Sequence, residues 1–199
     1  GKQTMKIDFE NLVEKCREVI DSEQYNLMVQ KIVDAKKIFL VGNGGLHFVA
    51  SHMSTDMSRL IPKKAFYSFD SVGFITSNAN DHGFEHMFVR WLETIADAEN
   101  PDDCLVIGLS CSGNSANVVN ALHFAEENNI STFMVSGQKS ETLNSGIDEL
   151  SFEFEFFHTV EVAIMILFYE MIHQVGSRCP SIRGEKVRLA DSPLRTGKK

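Results

Sequence analysis

The sequence predicts an α/β domain built on a five-stranded parallel sheet with helices on both faces, and three observations carry that prediction. Short apolar runs alternate with helical segments of about 10–15 residues along the middle of the chain. Those runs are apolar throughout, as strands buried on both faces must be. Two of them end in glycine- or serine-rich bends that each open a helix.

The elements follow in order. Phe9, Leu12, Val13, Cys16, Val19 and Ile20 recur at helical spacing, and Tyr25, Met28, Val29, Ile32 and Val33 obey the same rule. Residues 1–36 therefore read as an N-terminal helical extension, packed on the domain or on a partner subunit. Lys37 to Val41 is a buried strand, stopped by the tight turn Gly42-Asn43-Gly44-Gly45. An amphipathic helix runs from about Leu46 to Leu60 and is ended by Pro62. Ala65-Phe66-Tyr67 is a weak second strand, Phe84 to Ala96 a helix, and Cys104 to Leu109 a third strand. Ser115 to Glu127 is a helix, Ser131 to Val135 a fourth strand, Leu150 to Phe156 a fifth, and Val160 to Val175 a long apolar helix. Phe152, Phe154 and Phe156 alternate with Glu153 and Glu155, so they would share one face of that last strand. Residues 37–175 form the domain proper, and 176–199 a polar, basic tail.

Composition narrows the function classes. At 199 residues, with 43% apolar and 23% charged residues, the chain suits one globular domain and excludes a disordered chain or a fibre. A net charge of −8 argues against nonspecific nucleic-acid binding over the whole surface. From Gly176 onward seven Lys or Arg face two acids, so the tail carries +5 of its own. That tail, with Arg178, Arg183, Lys186, Arg188 and Arg195, has three readings: a solvated terminus, an arm around a neighbouring subunit, or an anion contact that closes a site. The four cysteines, Cys16, Cys104, Cys111 and Cys179, form no CxxC pair and fit a reduced, cytoplasmic protein. The N-terminus has no apolar stretch like a signal peptide, and the longest apolar run, Val162 to Tyr169, is far short of the roughly 18 residues of a membrane span.

In a doubly wound sheet of order 2-1-3-4-5, ligands bind beyond the strand carboxyl ends between strands 1 and 3. The two most unusual bends follow those strands: Gly42-Asn43-Gly44-Gly45, and Ser110-Cys111-Ser112-Gly113-Asn114-Ser115. Each opens a helix, so each offers free backbone N–H groups at the positive end of a helix dipole, and three serine hydroxyls add donors. The dinucleotide fingerprint is incomplete, because His47 stands where its third glycine belongs. Gly108-x-x-x-x-Gly113-Asn114-Ser115 has Walker spacing but Asn in place of the lysine, so a triphosphate would lack its counter-charge. A single phosphate held by amides and hydroxyls needs no lysine.

The first bend with His52 seven residues after Gly45, Ala79-Asn80-Asp81-His82-Gly83-Phe84, and Ser110 to Val118 together resemble the sugar isomerase (SIS) domain, most closely its phosphoheptose isomerase branch, over about residues 5–175. The resemblance implies a three-layer αβα sandwich, assembly as a homodimer or homotetramer, and sugar-phosphate sites at subunit interfaces. It implies that Ser110, Ser112 and Ser115 bind phosphate within a substrate-binding set that includes Asn43, Gly44, Asp81 and Asn114. Asn80 and Asp81 also fit a polar turn ahead of the Phe84 helix. The activity implied is aldose–ketose isomerisation, with sedoheptulose 7-phosphate as the type substrate.

The implied catalytic set matches in part. His52 and Asp56, at i and i+4 on one helix face, occupy the family's histidine and glutamate places, and Glu161 matches a family glutamate. Asp56, Glu161 and His52 are the catalytic candidates. The family's zinc would also need a glutamine and a histidine on the last helix, but those places hold Val160 and Phe168. Zinc held by His52 and Asp56 alone would be weak. His82 and His86, four apart across the start of a helix, or His158 are the available replacements; each also fits a plain surface histidine. Cys111, near a helix N-terminus, has either a depressed pKa or a packing role under the bend. The departures leave a second reading open, a non-catalytic SIS sensor of sugar phosphate or a protein-interaction adaptor.

Overall fold

The computed structural model describes residues 7–176 and 179–183. Helices α1 (Phe9–Ile20) and α2 (Glu23–Asp34) lead the chain, and each starts where a side chain caps it: the Asp8 carboxylate accepts from the Asn11 N–H, and the Ser22 hydroxyl from the Tyr25 N–H. Then come β1 (Lys37–Gly42), α3 (Gly45–Leu60), β2 (Ala65–Ser68), α4 (Val72–His82), α5 (Met87–Ile95), β3 (Cys104–Ser110), α6 (Ala116–Glu127), β4 (Ser131–Ser136), β5 (Glu149–Ser151) and α7 (Phe157–Val175). The sheet is parallel throughout, in the order β2-β1-β3-β4-β5.

Burial shows why the strands read as continuous apolar runs. Ile38 and Leu40 of β1 join the core beneath α1, α2, α3 and α7, whereas Phe39 and Val41, the residues between them, join the core beneath α5 and α6. Alternate side chains thus enter opposite layers, and both faces are dry. The N-terminal helices pack on this chain's own domain, with Leu12, Cys16, Tyr25, Met28 and Ile32 buried in the α7 layer. No helix among the described residues is long and apolar enough to cross a membrane.

Three elements differ from the sequence reading. Residues 72–82 form a helix where only a polar turn was expected; its one buried side chain is Asn78, so no apolar stripe announced it. The helix expected over Phe84–Ala96 is divided into a 3-10 turn at Phe84–His86 and α5, and Gly83, at φ 88°, separates both from α4. His82 and His86 therefore do not share a helix. The fifth strand stops at Ser151, because Glu153 takes φ 57° and turns the chain out of extended geometry. Phe152 and Phe154 stay buried and stacked, but Phe156 leaves their face for solvent.

Candidate functional site

The sheet places the two bends side by side. Gly42 pairs with Leu109 at the carboxyl ends of β1 and β3, so the turn at 43–45 and the bend at 111–115 are neighbours on the crevice edge. A reciprocal pair of carboxamides links them: Asn43 Nδ2 donates to Asn117 Oδ1 at 2.7 Å, and Asn117 Nδ2 donates back to Asn43 Oδ1 at 2.8 Å. Every helix that follows a strand directly or after a loop, α3, α4, α6 and α7, starts without a side-chain cap, unlike α1 and α2. The first-turn amides at this edge are left for other acceptors.

The serine bend is held from behind. Ser110 is buried and its hydroxyl lies 2.8 Å from that of Ser115, while the Ser112 hydroxyl accepts from the Asn114 N–H at 3.1 Å and keeps its own proton to donate. Asn114 is scaffolding: its Oδ1 accepts from the Ser140 hydroxyl, the Glu141 N–H and the Thr142 hydroxyl at 2.9–3.2 Å. Gly113, at φ 74°, lies so close to the 138–140 segment that a Cβ there would meet the Gln138 carbonyl oxygen at 2.4 Å. Only glycine lets the bend lie flat on that segment. The Cys111 thiol is pushed up to about 11 by burial and by the Glu161 charge, which assigns it packing and removes the reading of an activated thiol.

The glycine turn has its own partner. A Cβ on Gly45 would lie 2.1 Å from Glu161 Oε1, so the Glu161 carboxylate rests against the turn that opens α3. The last helix runs parallel to α3: Glu161 lies at Gly45, Tyr169 at His52 and Asp56, and Gly176 at Leu60. His52 and Asp56 therefore sit further down the seam, about 10 Å and about 16 Å along the helix from Gly45. There His52 Nε2 is 2.8 Å from the Tyr169 hydroxyl, and that hydroxyl donates to Asp56 Oδ2 at 3.4 Å. Burial and the Asp56 carboxylate both raise the pKa of Tyr169, so its hydroxyl keeps its proton. Sequence reasoning missed Tyr169, because the aligned position is its neighbour Phe168.

Asp81 and His158 make no hydrogen bond to either bend among the described residues. Asp81 is exposed at the end of α4 and accepts from Asn80 Nδ2 at 2.9 Å. His158 stacks on Phe156 at the exposed start of α7. Of the basic tail, Arg178, Lys186, Arg188 and Arg195 lie outside the described residues, and Arg183 is exposed. Sequence spacing gave no sign of a second polar pair at the same edge: His47, in the first turn of α3, faces Asp70 in the segment that follows β2, Nε2 to Oδ1 at 3.4 Å.

No protein-family model matches the chain. Similarity to individual proteins is clear. A phosphoheptose isomerase of Buchnera aphidicola is 30% identical over 132 residues, which span 64% of this chain and 66% of that protein, just under two thirds of the relative's length. The solved phosphoheptose isomerase GmhA of Neisseria gonorrhoeae superposes with a TM-score of 0.72 at 22% identity, covering 84% of this chain and 94% of that one. The chain is thus similar in sequence to phosphoheptose isomerases and shares their fold. The same fold recurs in the Vibrio vulnificus NanR protein solved with ManNAc-6P, at a TM-score of 0.59 and 16% identity over 83% of this chain and 59% of that one.

The zinc that the SIS resemblance implies does not fit this donor set. Val160 and Phe168, at the two aligned positions on α7, are 1% and 0% exposed among apolar side chains. His52 and Asp56 already share the Tyr169 hydroxyl, and among the described residues no three His, Cys, Asp or Glu side chains converge on a metal position. One imidazole, one carboxylate and a neutral phenol are a poor substitute for a tetrahedral zinc site.

Proposed function

We propose that the chain binds a sugar phosphate and interconverts its aldose and ketose forms, with sedoheptulose 7-phosphate as the type substrate. It does so in the cytoplasm, as a homo-oligomer in which a second copy closes the site. The observation that carries this reading is the junction of the two bends: the serine bend, with the exposed Ser112 and the uncapped start of α6, lies beside the glycine turn at the carboxyl ends of β1 and β3, joined to it by Asn43 and Asn117. A phosphate monoester matches that set of neutral donors and the helix dipole behind it. The phosphoheptose isomerases of similar sequence support the substrate class. Support for a second copy comes from the outer faces of α3 and α7, which present Phe48 at 76% exposure along with Phe157, Val162 and Ile166.

Isomerisation moves one proton between adjacent carbons and one between their oxygens, so it needs a base beside the sugar. Glu161 takes that part, because its carboxylate already rests on the glycine turn. Asp56 and His52 act further along the seam, holding Tyr169 and the α3–α7 contact. Turnover of sedoheptulose 7-phosphate, measured with and without added zinc, tests the reading. It predicts turnover that zinc does not raise, reduced at least about 100-fold by Glu161→Gln. Absence of turnover in both conditions would contradict it.

The buried Val160 and Phe168 favour a second reading, a sensor or adaptor that binds the phosphosugar without converting it. That reading predicts a raised melting temperature with ligand and no product.

A further inference from the structure

We propose that His47, oriented by Asp70, exchanges the oxygen-bound protons of the sugar during the isomerisation proposed above, on which this inference rests. His47 lies in the opening turn of α3, where its own N–H donates to the Gly44 carbonyl at 3.0 Å, so the ring is tied to the bend that borders the crevice. His47 and His52 are five positions apart and point to different sides of α3: His52 to α7, His47 to the end of β2. Gly45 and His47 lie two positions apart in one turn, so the Glu161 carboxylate and the His47 ring lie on opposite sides of the α3 N-terminus.

The second shell makes this a held pair. Asp70 Oδ1 is 3.4 Å from His47 Nε2. Its Oδ2 accepts from the Ser68 hydroxyl, which in turn lies 3.2 Å from the Ser54 hydroxyl on α3. A carboxylate fixed in this way sets the orientation of the ring that faces it. The His47 side chain is 21% exposed, so it is packed but still reached by solvent.

The chemistry closes without a co-reactant. From the ketose, Glu161 takes a proton from C1 while the His47 imidazolium gives one to the carbonyl oxygen on C2, leaving an enediol and a neutral ring. The neutral ring then takes the proton of the C1 hydroxyl as that oxygen becomes the carbonyl, and Glu161 returns its proton to C2. One C–H and one O–H bond break, one of each forms, and both side chains end as they began.

The test uses full-length protein and sedoheptulose 7-phosphate. His47→Gln is expected to lower kcat by about 100-fold or more, the usual contribution of a general acid–base group, with KM changed less than about threefold. His47→Ala is expected to regain part of its kcat with free imidazole, which a packing role would not produce, and Asp70→Asn to lower kcat about tenfold with KM unchanged. A kcat within about threefold of wild type in both His47 variants overturns the proposal while leaving the isomerase reading intact. So does a fall in kcat/KM carried entirely by KM, or a loss in His47→Ala that imidazole leaves untouched. A wild-type protein without turnover overturns both.

Discussion

At the scale of single residues, hydroxyls and carboxamides divide the work. Asn43 and Asn117 spend their hydrogen bonds on each other, and Asn114 spends its own on the 140–142 segment, so they shape the bends. Ser112, exposed and with a proton to give, is the group best placed to meet a ligand oxygen. Ser112→Ala is expected to weaken phosphosugar binding by about 1–3 kcal/mol, the loss typical of a charge-assisted hydrogen bond; unchanged affinity in calorimetry would remove Ser112 from the site. Cys111 provides a pH test. Its thiol titrates near 11 in place of an ordinary 9.0, so at pH 8 its thiolate is scarcer by about a hundredfold and alkylation of Cys111 should be slower by a similar factor. The folded state holds that proton more tightly than the unfolded chain does, so this group's contribution to stability is intact below pH 9.0 and falls as pH rises towards about 11. Rapid labelling of Cys111 at pH 8 would contradict the burial that sets the shift. Little of this was legible beforehand: both members of the Asn43–Asn117 pair stand in recognisable motifs, but no local pattern joins residues 74 apart.

At the scale of elements, the α3–α7 seam decides what the site contains. Two parallel helices meet through Glu161 on Gly45 at one end and Tyr169 on His52 and Asp56 further down. Gly45→Ala separates packing from chemistry here. Alanine is favoured over glycine in a helix by up to about 1 kcal/mol, and the carboxylate it would strike is the far end of a flexible side chain. Thermal stability should therefore change by no more than about 1 kcal/mol while turnover falls at least about tenfold; turnover at the wild-type rate would show that Glu161 does not work from the glycine turn. The sequence made this seam half legible. The i, i+4 spacing of His52 and Asp56 placed them on one face, and the apolar residues at 160 and 168 announced a lost pair of donors. It did not show Tyr169 as their partner, nor the His47–Asp70 pair, whose members lie on different elements with only the odd histidine in a glycine-rich turn as a signal. The helix at 72–82 escaped notice for a related reason, since periodicity reports only elements that bury an apolar stripe.

At the scale of the whole molecule, strand order does most of the positioning. The parallel order β2-β1-β3-β4-β5 was readable because the central strands β1, β3 and β4 are buried on both faces and the first three crossovers contain helices, and it brings together bends that are far apart in sequence. Those bends remain open in a single chain, and the apolar outer faces of α3 and α7 beside them suit a second copy. Sedimentation of the wild-type protein should show a homo-oligomer, and Phe48→Asp should dissociate it and weaken phosphosugar binding together; a monomeric wild type would contradict this. The central claim, that two neighbouring bends grip a phosphate monoester, is tested most directly by calorimetric titration with sedoheptulose 7-phosphate and, in parallel, with unphosphorylated sedoheptulose. The account predicts one site per chain for the phosphorylated sugar and no heat from the other. Equal binding of the two, or none of either, would contradict it.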